Sequence, residues 1–585
     1  MTYIDEILTN GHAGMLNDQH RHQAYRSAIH KAIKEFHKKN ESVRLLDIGA
    51  GSGLLTLYAA EAGADFIMAC ESNVTMANIA RTVISDNRYK FRNSTKISIE
   101  AVSSCDLDRL YPEFRQSFNI IVSEIYDSEL IGEGCLITYK HALSNLASSN
   151  CVFIPARATL FAQPIFSATL DNYCCIPSTS NKSEQQTRVS LGMPWEMHID
   201  KVADVQLGEE LQLWQWEFSL EQEKFWKGCQ NVSIPNDKQC NGVIVWWKSY
   251  IDAENWISTA PSAHKDFQEF RDHWMPLFYP ICNLSSDIHL TVDVSDLNID
   301  IRHTKCDNCV TSGDINVLPL EMINYRYLGY MNCLQLNEAY YKCLNELSHG
   351  CKDNVFYVGP ASVLPALIEK KLACQVKTVQ IKELPKKLVE CKEAVVLDNC
   401  YDPFSLTSVS FYYRRQTLER SLSYHNIHLV PNRVVLLVTL VESSQLSNRA
   451  LSPNTIDGFD ISSFSNSVRK CLNGTTGDDM FDPVFPWEYD YKSLCFPTKL
   501  PSFHQCGKHF SVSVKISDGG IVTNALFSLG YYFGETFIHF SDSDYFNKVD
   551  CYTFVDRFTV AKGDIVVFDF EVLKCQIVSF KTAKS

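Results

Sequence analysis

The chain has 585 residues, 45% of them hydrophobic and 21% charged, a length beyond one hydrophobic core that predicts two to four folding units. Its formal net charge of −14 argues against nucleic acid as the main ligand, whose phosphates need a basic surface, and suits a basic protein partner. No run of about 18 uncharged apolar residues occurs, and the opening MTYIDEILTN lacks the basic-then-apolar pattern of a secretory signal, so neither a membrane span nor a signal peptide is expected.

Residues 19–39 place apolar side chains at helical spacing ahead of VRLLDIGAGSGLLTLYAAEAGA. That segment reads as a buried strand over Val43–Ile48, a glycine-rich turn and a helix. Phe66–Cys70 reads as a second strand ending at Glu71, and Phe118–Val122 as a third running into SEIYDSELIGEG. Strands alternating with helices predict a Rossmann-like parallel α/β sheet with its ligand at the strand carboxyl ends. After Ile154-Pro155 the texture changes to alternating runs rich in aromatic and β-branched residues, such as RATLFAQPIF and CNGVIVWWKSYI. These predict a β-barrel or sandwich over about 155–305.

The second half repeats the order. HQAYRSAIHK is echoed by NEAYYKCLNE, RLLDIGAGSGLL by VFYVGPASVLPA, IIVSEIYDSEL by VVLDNCYDPFS, and VFIPARATLFA by HLVPNRVVLLV. Glu124 precedes Pro155 by 31 residues and Asn399 precedes Pro431 by 32. A tandem duplication follows, divided as an α/β domain over 1–154, a barrel over 155–305, a linker over 306–330, a degenerate α/β domain over 331–430 and a second barrel over 431–585. In the second copy Asp47, Gly51, Gly53 and Glu124 become Tyr357, Ala361, Val363 and Asn399, so it is expected not to bind a cofactor.

In the first copy Gly49, Gly51 and Gly53 let backbone N–H groups approach a ligand at a helix N-terminus. Glu71 stands 18 residues after Gly53, where an acid accepts hydrogen bonds from both hydroxyls of a ribose. Asp47 adds a carboxylate where S-adenosylmethionine carries an ammonium group. So acidic a pocket disfavours the pyrophosphate of a dinucleotide, which is the alternative ligand for such a turn.

SEIYDSELIGEG resembles the double-glutamate loop of the protein arginine methyltransferases, with Glu124 and Glu133 nine residues apart. The chemistry needs such a pair: a guanidinium is a planar fork of N–H donors that stays protonated, and two fixed carboxylates aim one terminal nitrogen at the methyl donor. Glu129, in the same loop, reads as a solvated acid. GHAGMLNDQHRHQAYR resembles the family's N-terminal helix; the resemblance implies that Arg21 binds the methionine carboxylate and that His12 and Met15 line the pocket. FRDHWMPLFYP resembles the family's Thr-His-Trp loop as Asp272, His273 and Trp274. By that match His273 pairs with Asp18 as an active-site wall with a relay role, and Trp274 binds substrate. The region expected to contact adenine reads AVSSCDLD, which assigns that contact to Ser103 or Ser104.

Tandem halves, DSELIGEG and Asp-His-Trp together are similar to the protein arginine methyltransferase 7 subfamily. The resemblance implies S-adenosylmethionine as cofactor and monomethylarginine as product. It further implies Arg-rich partners such as histones and ribonucleoproteins, in cytoplasm and nucleus, and a monomer whose halves form a pseudo-dimer. Pro276 stands where relatives often have Gln, a departure that bears on the number of methyl groups added. His303, Cys306 and Cys309 offer three clustered ligands without a fourth, so no metal is expected, and the 22 cysteines read as reduced thiols. A catalytically inactive scaffold that binds Arg-rich proteins, and a small-molecule methyltransferase, are the competing readings; the first copy's intact acids and glycines oppose the scaffold, and the paired glutamates oppose the small molecule.

Overall fold

The computed structural model describes residues 12–171, 173, 175–176, 187–189, 194–235, 239–284, 287–303, 309–310, 329–330, 332–347, 354–358, 364–365, 368–369, 374–380, 383–389, 391, 393–398, 411–412, 415–416, 418–419, 427–476, 480–501, 509–540, 544, 546–573 and 576–584. They fall into two compact units, each discontinuous in sequence: 1–167 with 191–307 and 448–471, and 168–190 with 308–447 and 472–585. Domain limits drawn as contiguous stretches of chain do not coincide with these units.

The first unit begins with helices α1 (His12–Asn17) and α2 (Gln19–Lys38). Asp18 caps α2 by accepting the Arg21 backbone N–H at 2.8 Å, and Tyr25, Ala28, Ile29, Ile33 and Phe36 form its buried stripe. There follow β1 (Arg44–Ile48), α3 (Leu54–Ala62), β2 (Phe66–Cys70), α4 (Val74–Asp86), β3 (Lys96–Glu100), β4 (Phe118–Ser123) and β5 (Ala147–Ile154). The strands form a parallel sheet in the order β3-β2-β1-β4-β5. The order reverses at β1, so the carboxyl ends of β1, β2 and β4 lie side by side, the position where open α/β sheets take ligands.

β3 was absent from the sequence-based expectation. KISIE is short and only Ile99 is fully buried, so it lacks the apolar run that marked its neighbours. β6 (Arg157–Phe166) then opens a seven-stranded antiparallel sheet whose central strands include Cys240–Tyr250 and Leu277–Leu284. A three-stranded sheet over Gly228–Ile234, Ile288–Val294 and Ile299–His303 completes the β region expected as a barrel.

The second unit reuses this plan. Val376–Thr378, Val355–Val358, Ala394–Asp398 and Ile427–Val430 form a parallel sheet in that order, matching β2-β1-β4-β5. Registers match as well: Asp47 lies opposite Val122, and Tyr357 opposite Leu397. Pro155 and Pro431 both follow cis peptide bonds, and the next strand in each half pairs with a long antiparallel partner. Ala361, Val363 and Asn399 lie outside the described residues, as does Cys306.

Residues 448–471 come from the stretch expected as the second barrel, yet they belong to the first unit and include the start of a helix, Ser462–Gly474. Asn87 exchanges two hydrogen bonds with Asp460, at 2.6 and 2.9 Å, and Tyr58 donates to Asp457 at 2.6 Å. Asn17 Nδ2 reaches the carbonyls of Asn448 and Leu451, both at 2.9 Å.

Candidate active site

Gly49, Gly51 and Gly53 have φ of +74°, +54° and +86°, the left-handed region that glycine enters without cost. A Cβ on Gly49 would come within 2.8 Å of Ile125 Cγ2, while one on Gly51 would meet nothing nearer than 3.9 Å, so the turn is closed against the Glu124 loop and open at Gly51. Glu71 accepts the Gly51 and Asn73 N–H groups at 2.9 and 2.8 Å. Asp47 is fully buried; Thr56 Oγ1 donates to its Oδ2 at 2.6 Å, and its Oδ1 has no hydrogen-bond partner among the described residues. Burial pushes this carboxyl up to about 6, with Glu71 adding and Thr56 opposing.

A buried carboxylate oxygen beside an open glycine turn suits a small cationic ligand group. The residues present therefore fit the ammonium end of S-adenosylmethionine. Ser103 is exposed and caps the short turn Ser104–Asp106 by accepting the Cys105 N–H at 3.3 Å, and Ser104 is buried. Sequence reasoning passed over Glu100, at the end of β3. Its carbonyl accepts the Glu71 N–H at 3.1 Å, and its carboxylate accepts from Tyr111 at 3.1 Å and from Ser98 at 2.9 Å. Missing the strand meant missing the acid at its end.

Glu124 follows β4 and is buried. Its Oε2 accepts from Arg21 Nε at 2.8 Å and also from Arg21 Nη2, while Oε1 has no partner among the described residues. The sequence reading gave Arg21 to the cofactor; here it grips the acid expected to hold the substrate. A buried guanidinium needs a counter-charge, and Glu124 supplies it. The loop after Glu124 is pinned from the β region by Trp274 Nε1 donating to Tyr126 O at 2.9 Å, Trp247 Nε1 to Asp127 O at 3.2 Å and the Met275 N–H to Ser128 Oγ at 3.2 Å. Trp274, expected to bind substrate, is thus a buried support of the loop, edge-on to Trp247.

Glu133 opens to solvent, yet partial burial and the carboxylates of Glu124 and Asp127 push it up to about 7, a rise that solvent on its exposed side tempers. Glu129 is half-buried rather than freely solvated, and burial with Asp127 and Glu196 also pushes it up to about 7.

Asp18 Oδ2 lies 3.4 Å from His273 Nε2, but its nearer partner is Arg271, whose Nε donates to the same oxygen at 2.6 Å and whose Nη1 donates to Ser258 O at 2.9 Å. Arg271 was overlooked although it adjoins Asp272-His273-Trp274, because its partner is 253 positions away. His273 Nδ1 lies 3.8 Å from Asp272 Oδ1. Burial alone would lower the His273 pKa; the two flanking carboxylates outweigh it and raise it. Burial also disfavours the Asp18 carboxylate, yet His273 and Arg271 hold it well below the usual range. His12 and Met15 are half-buried on α1, and Met15 O accepts from His22 Nε2 at 3.1 Å and weakly from Arg21 Nη1 at 3.5 Å.

Two relatives run most of the length of this molecule. Protein arginine N-methyltransferase 7 of Gallus gallus is 26% identical over 570 residues, 86% of this chain and 81% of its own. The Drosophila melanogaster protein of the same name is 26% identical over 591 residues, 88% and 84% of the two chains. Over most of its length the chain is thus similar to proteins named protein arginine N-methyltransferase 7. No family model matches it. Among solved structures, the Trypanosoma brucei PRMT1 enzyme-prozyme complex with AdoHcy gives a TM-score of 0.37 at 17% identity, covering 50% of this chain and 90% of its own. A PRMT6 crystal structure gives 0.39 at 18%, covering 52% and 100%. Among the described residues no helix is long and apolar enough to cross a membrane, and no cluster of three His, Cys, Asp or Glu could hold a metal.

Proposed function

We propose that the chain is an S-adenosylmethionine-dependent protein arginine N-methyltransferase, with one active site in its first half that produces monomethylarginine. The observation that carries this reading is Glu124, a buried carboxylate with a guanidinium on one oxygen and the other oxygen unpartnered among the described residues. Asp47, on the strand paired with the one Glu124 follows, is a second buried carboxylate with one oxygen unpartnered among the described residues, and supports the same reading.

When bound, S-adenosylmethionine supplies an electrophilic methyl group on sulfur. Asp47 and Arg21 hold its charged amino-acid end, Glu71 its ribose, and Gly49, Gly51 and Gly53 leave room for it, with Ser103 or Ser104 toward adenine and His12 and Met15 along the wall. Glu124 and Glu133 bind the substrate guanidinium from two sides and concentrate its positive charge on the far nitrogens, so that the nitrogen facing the methyl keeps its lone pair. His273, held toward its cationic form by Asp18 and Asp272, walls the site and orients the N-terminal helix; Trp274 steadies the loop that carries both glutamates.

Basic, Arg-rich segments of histones and ribonucleoproteins fit the overall negative charge, and the chain acts as a monomer in cytoplasm and nucleus. The test is mass spectrometry of an Arg- and Gly-rich peptide incubated with the chain and S-adenosylmethionine. One added methyl on arginine, lost in Glu124→Gln, is expected. Dimethylarginine removes the product rule, and no transfer to several basic substrates despite measured cofactor binding favours an inactive Arg-binding scaffold.

A further inference from the structure

A cavity of about 560 Å³ lies on the flank of the first unit, between the C-terminal half of α4 and the edge strand β3. Neither the glycine turn nor any acid of the candidate active site lines it. Its charge is one-sided: Arg81 and Arg88 line it, no Asp or Glu does, and neither arginine has a carboxylate partner among the described residues. Backbone carbonyls fix where the two guanidiniums stand. Arg81 Nε and Nη2 donate to Ile99 O at 3.1 and 2.6 Å, and its Nη1 donates to Asn78 Oδ1 at 2.7 Å. Arg88 Nη1 donates to Arg92 O at 3.2 Å, and its Nη2 to Asn93 O and Thr95 O, both at 3.1 Å. These acceptors are neutral, so they occupy three of the five N–H groups of each arginine and leave two donors and the whole positive charge. Thr95 adds a second, separate observation. It is 3% exposed and lines the cavity, yet its hydroxyl has no hydrogen-bond partner among the described residues. The Ser85 hydroxyl on the facing wall is also without one, whereas Ser98 Oγ already donates to Glu100 at 2.9 Å.

We infer that this cavity binds a small phosphate monoester, with its phosphate between Arg81 and Arg88 and its organic body against Ile84, Ile97 and Ile99. Two guanidiniums match the charge of a monoester, which approaches −2 at neutral pH. Their spare N–H groups and the Thr95 and Ser85 hydroxyls suit three terminal oxygens, and arginine pairs with phosphate through parallel N–H bonds. A carboxylate brings a single charge and two oxygens, and leaves part of that donor set unused. The cavity is larger than a phosphate needs and falls in the range of about 300–1,000 Å³ typical of small-molecule sites, with the three isoleucines as its apolar floor. Composition does not produce such a lining by default, since the chain has 68 acidic against 54 basic residues. An added β-strand is a poorer occupant of the β3 edge, because the arginines already take the carbonyls of Thr95 and Ile99. Nothing in this inference depends on the methyltransferase reading of the other site.

The experiment is isothermal titration of the full chain, in a phosphate-free buffer at low salt, with phenyl phosphate, inorganic phosphate and benzoate. One phenyl phosphate per chain is expected, bound at least about tenfold more tightly than inorganic phosphate, because the ring is buried on the isoleucines. It is also expected to bind at least about tenfold more tightly than benzoate, which carries the ring on a carboxylate. Ser85 is exposed, so Ser85→Glu sets a carboxylate beside the two arginines without disturbing a hydrogen bond, and should weaken phenyl phosphate at least about tenfold. Thr95→Val removes one donor and should weaken it about fivefold or more. No saturable binding of phenyl phosphate overturns the inference. So does unchanged affinity in Ser85→Glu, which places the anion elsewhere on the chain. Benzoate bound as tightly as phenyl phosphate overturns the phosphate assignment, and inorganic phosphate bound as tightly overturns the apolar floor. Circular dichroism melting checks the fold; if Ser85→Glu does not fold, the exposed Arg81→Gln decides, with a loss of about tenfold or more expected and unchanged binding again overturning the inference.

Discussion

Asp47→Asn is expected to stabilise the ligand-free protein while removing its response to S-adenosylmethionine. The Asp47 carboxyl is fully buried and is pushed up from 3.8 to about 6. The folded form therefore binds this proton more tightly than the unfolded chain does, so stability falls as pH rises through the interval from about 4 to about 6 and stays low above it. A tenfold change in proton affinity is about 1.4 kcal/mol, so the ionised group costs the fold about 3 kcal/mol at neutral pH. Asn mimics the protonated acid and keeps the acceptor for Thr56, but it adds an N–H with no partner, which takes back about 1 kcal/mol. The net gain of about 2 kcal/mol corresponds to a melting temperature higher by about 4 °C at pH 7.5, and near pH 4, where the wild-type carboxyl is protonated in the fold, the order should reverse, with the Asn variant lower by about 1 kcal/mol. Scanning fluorimetry with and without S-adenosylmethionine measures both effects. An Asn variant that melts no higher than wild type at pH 7.5, or that still gains stability from the cofactor, refutes the argument.

Glu124→Gln should abolish transfer and leave Arg21 a buried cation without its counter-charge, which costs about 3–5 kcal/mol and shows as a lower denaturant midpoint at unchanged slope. Glu133 must be ionised to hold a cation and is pushed up to about 7, so kcat/KM for a peptide should rise with pH up to a limb at or somewhat below 7; Asp127→Asn removes one of the carboxylates raising it, and a limb that fails to move toward acid would contradict the assignment. Trp274→Phe deletes the hydrogen bond to Tyr126 O, worth about 1 kcal/mol, and should raise the peptide KM while calorimetry finds the cofactor affinity unchanged. Tyr357→Phe should leave cofactor binding as it is, and a change there would mean that the second half takes part in the site.

What could be read from the sequence was local. β1, β2 and β4 are short, mostly apolar runs followed by glycine or acid, so their positions and the placements of Asp47 near the end of β1, and of Glu71 and Glu124 just after β2 and β4, follow from a stretch of a few residues. The spacing of Glu124 and Glu133 is local too. What escaped was pairing across the chain. Arg271 with Asp18, Arg21 with Glu124, and Asp457 with Tyr58 join residues 253, 103 and 399 positions apart, and no periodicity encodes such partners. The hydrogen bond from Trp274 to Tyr126 O, 148 positions away, escaped for the same reason: motif resemblance picks out the ring, but only packing shows which loop it holds.

The second unit separates fold from function within one molecule. At the register of Asp47 it buries the ring of Tyr357, and at the register of Ser123 it has Asp398, which accepts from Arg415 Nη1 at 3.1 Å. Arg415 is fully buried, and its other nitrogens donate to Glu419, at 3.0 Å, and to Pro431 O. Both units thus place an arginine–carboxylate pair near the end of the equivalent strand. In the second, every nitrogen of the guanidinium has an acceptor within the unit, so the pair serves the interior. In the first, Asp47 and Glu124 each keep one buried oxygen without a partner among the described residues. Retaining two such oxygens weakens the fold, as the raised Asp47 pKa makes quantitative, and a chain with a second copy that fills the same place with an aromatic ring had a more stable solution at hand. The buried carboxylate at the register of Asp47, which the second unit replaces by the ring of Tyr357, and Glu124, which stands in the sequence where the second copy has Asn399, are what set the first unit apart from the second on the same sheet plan.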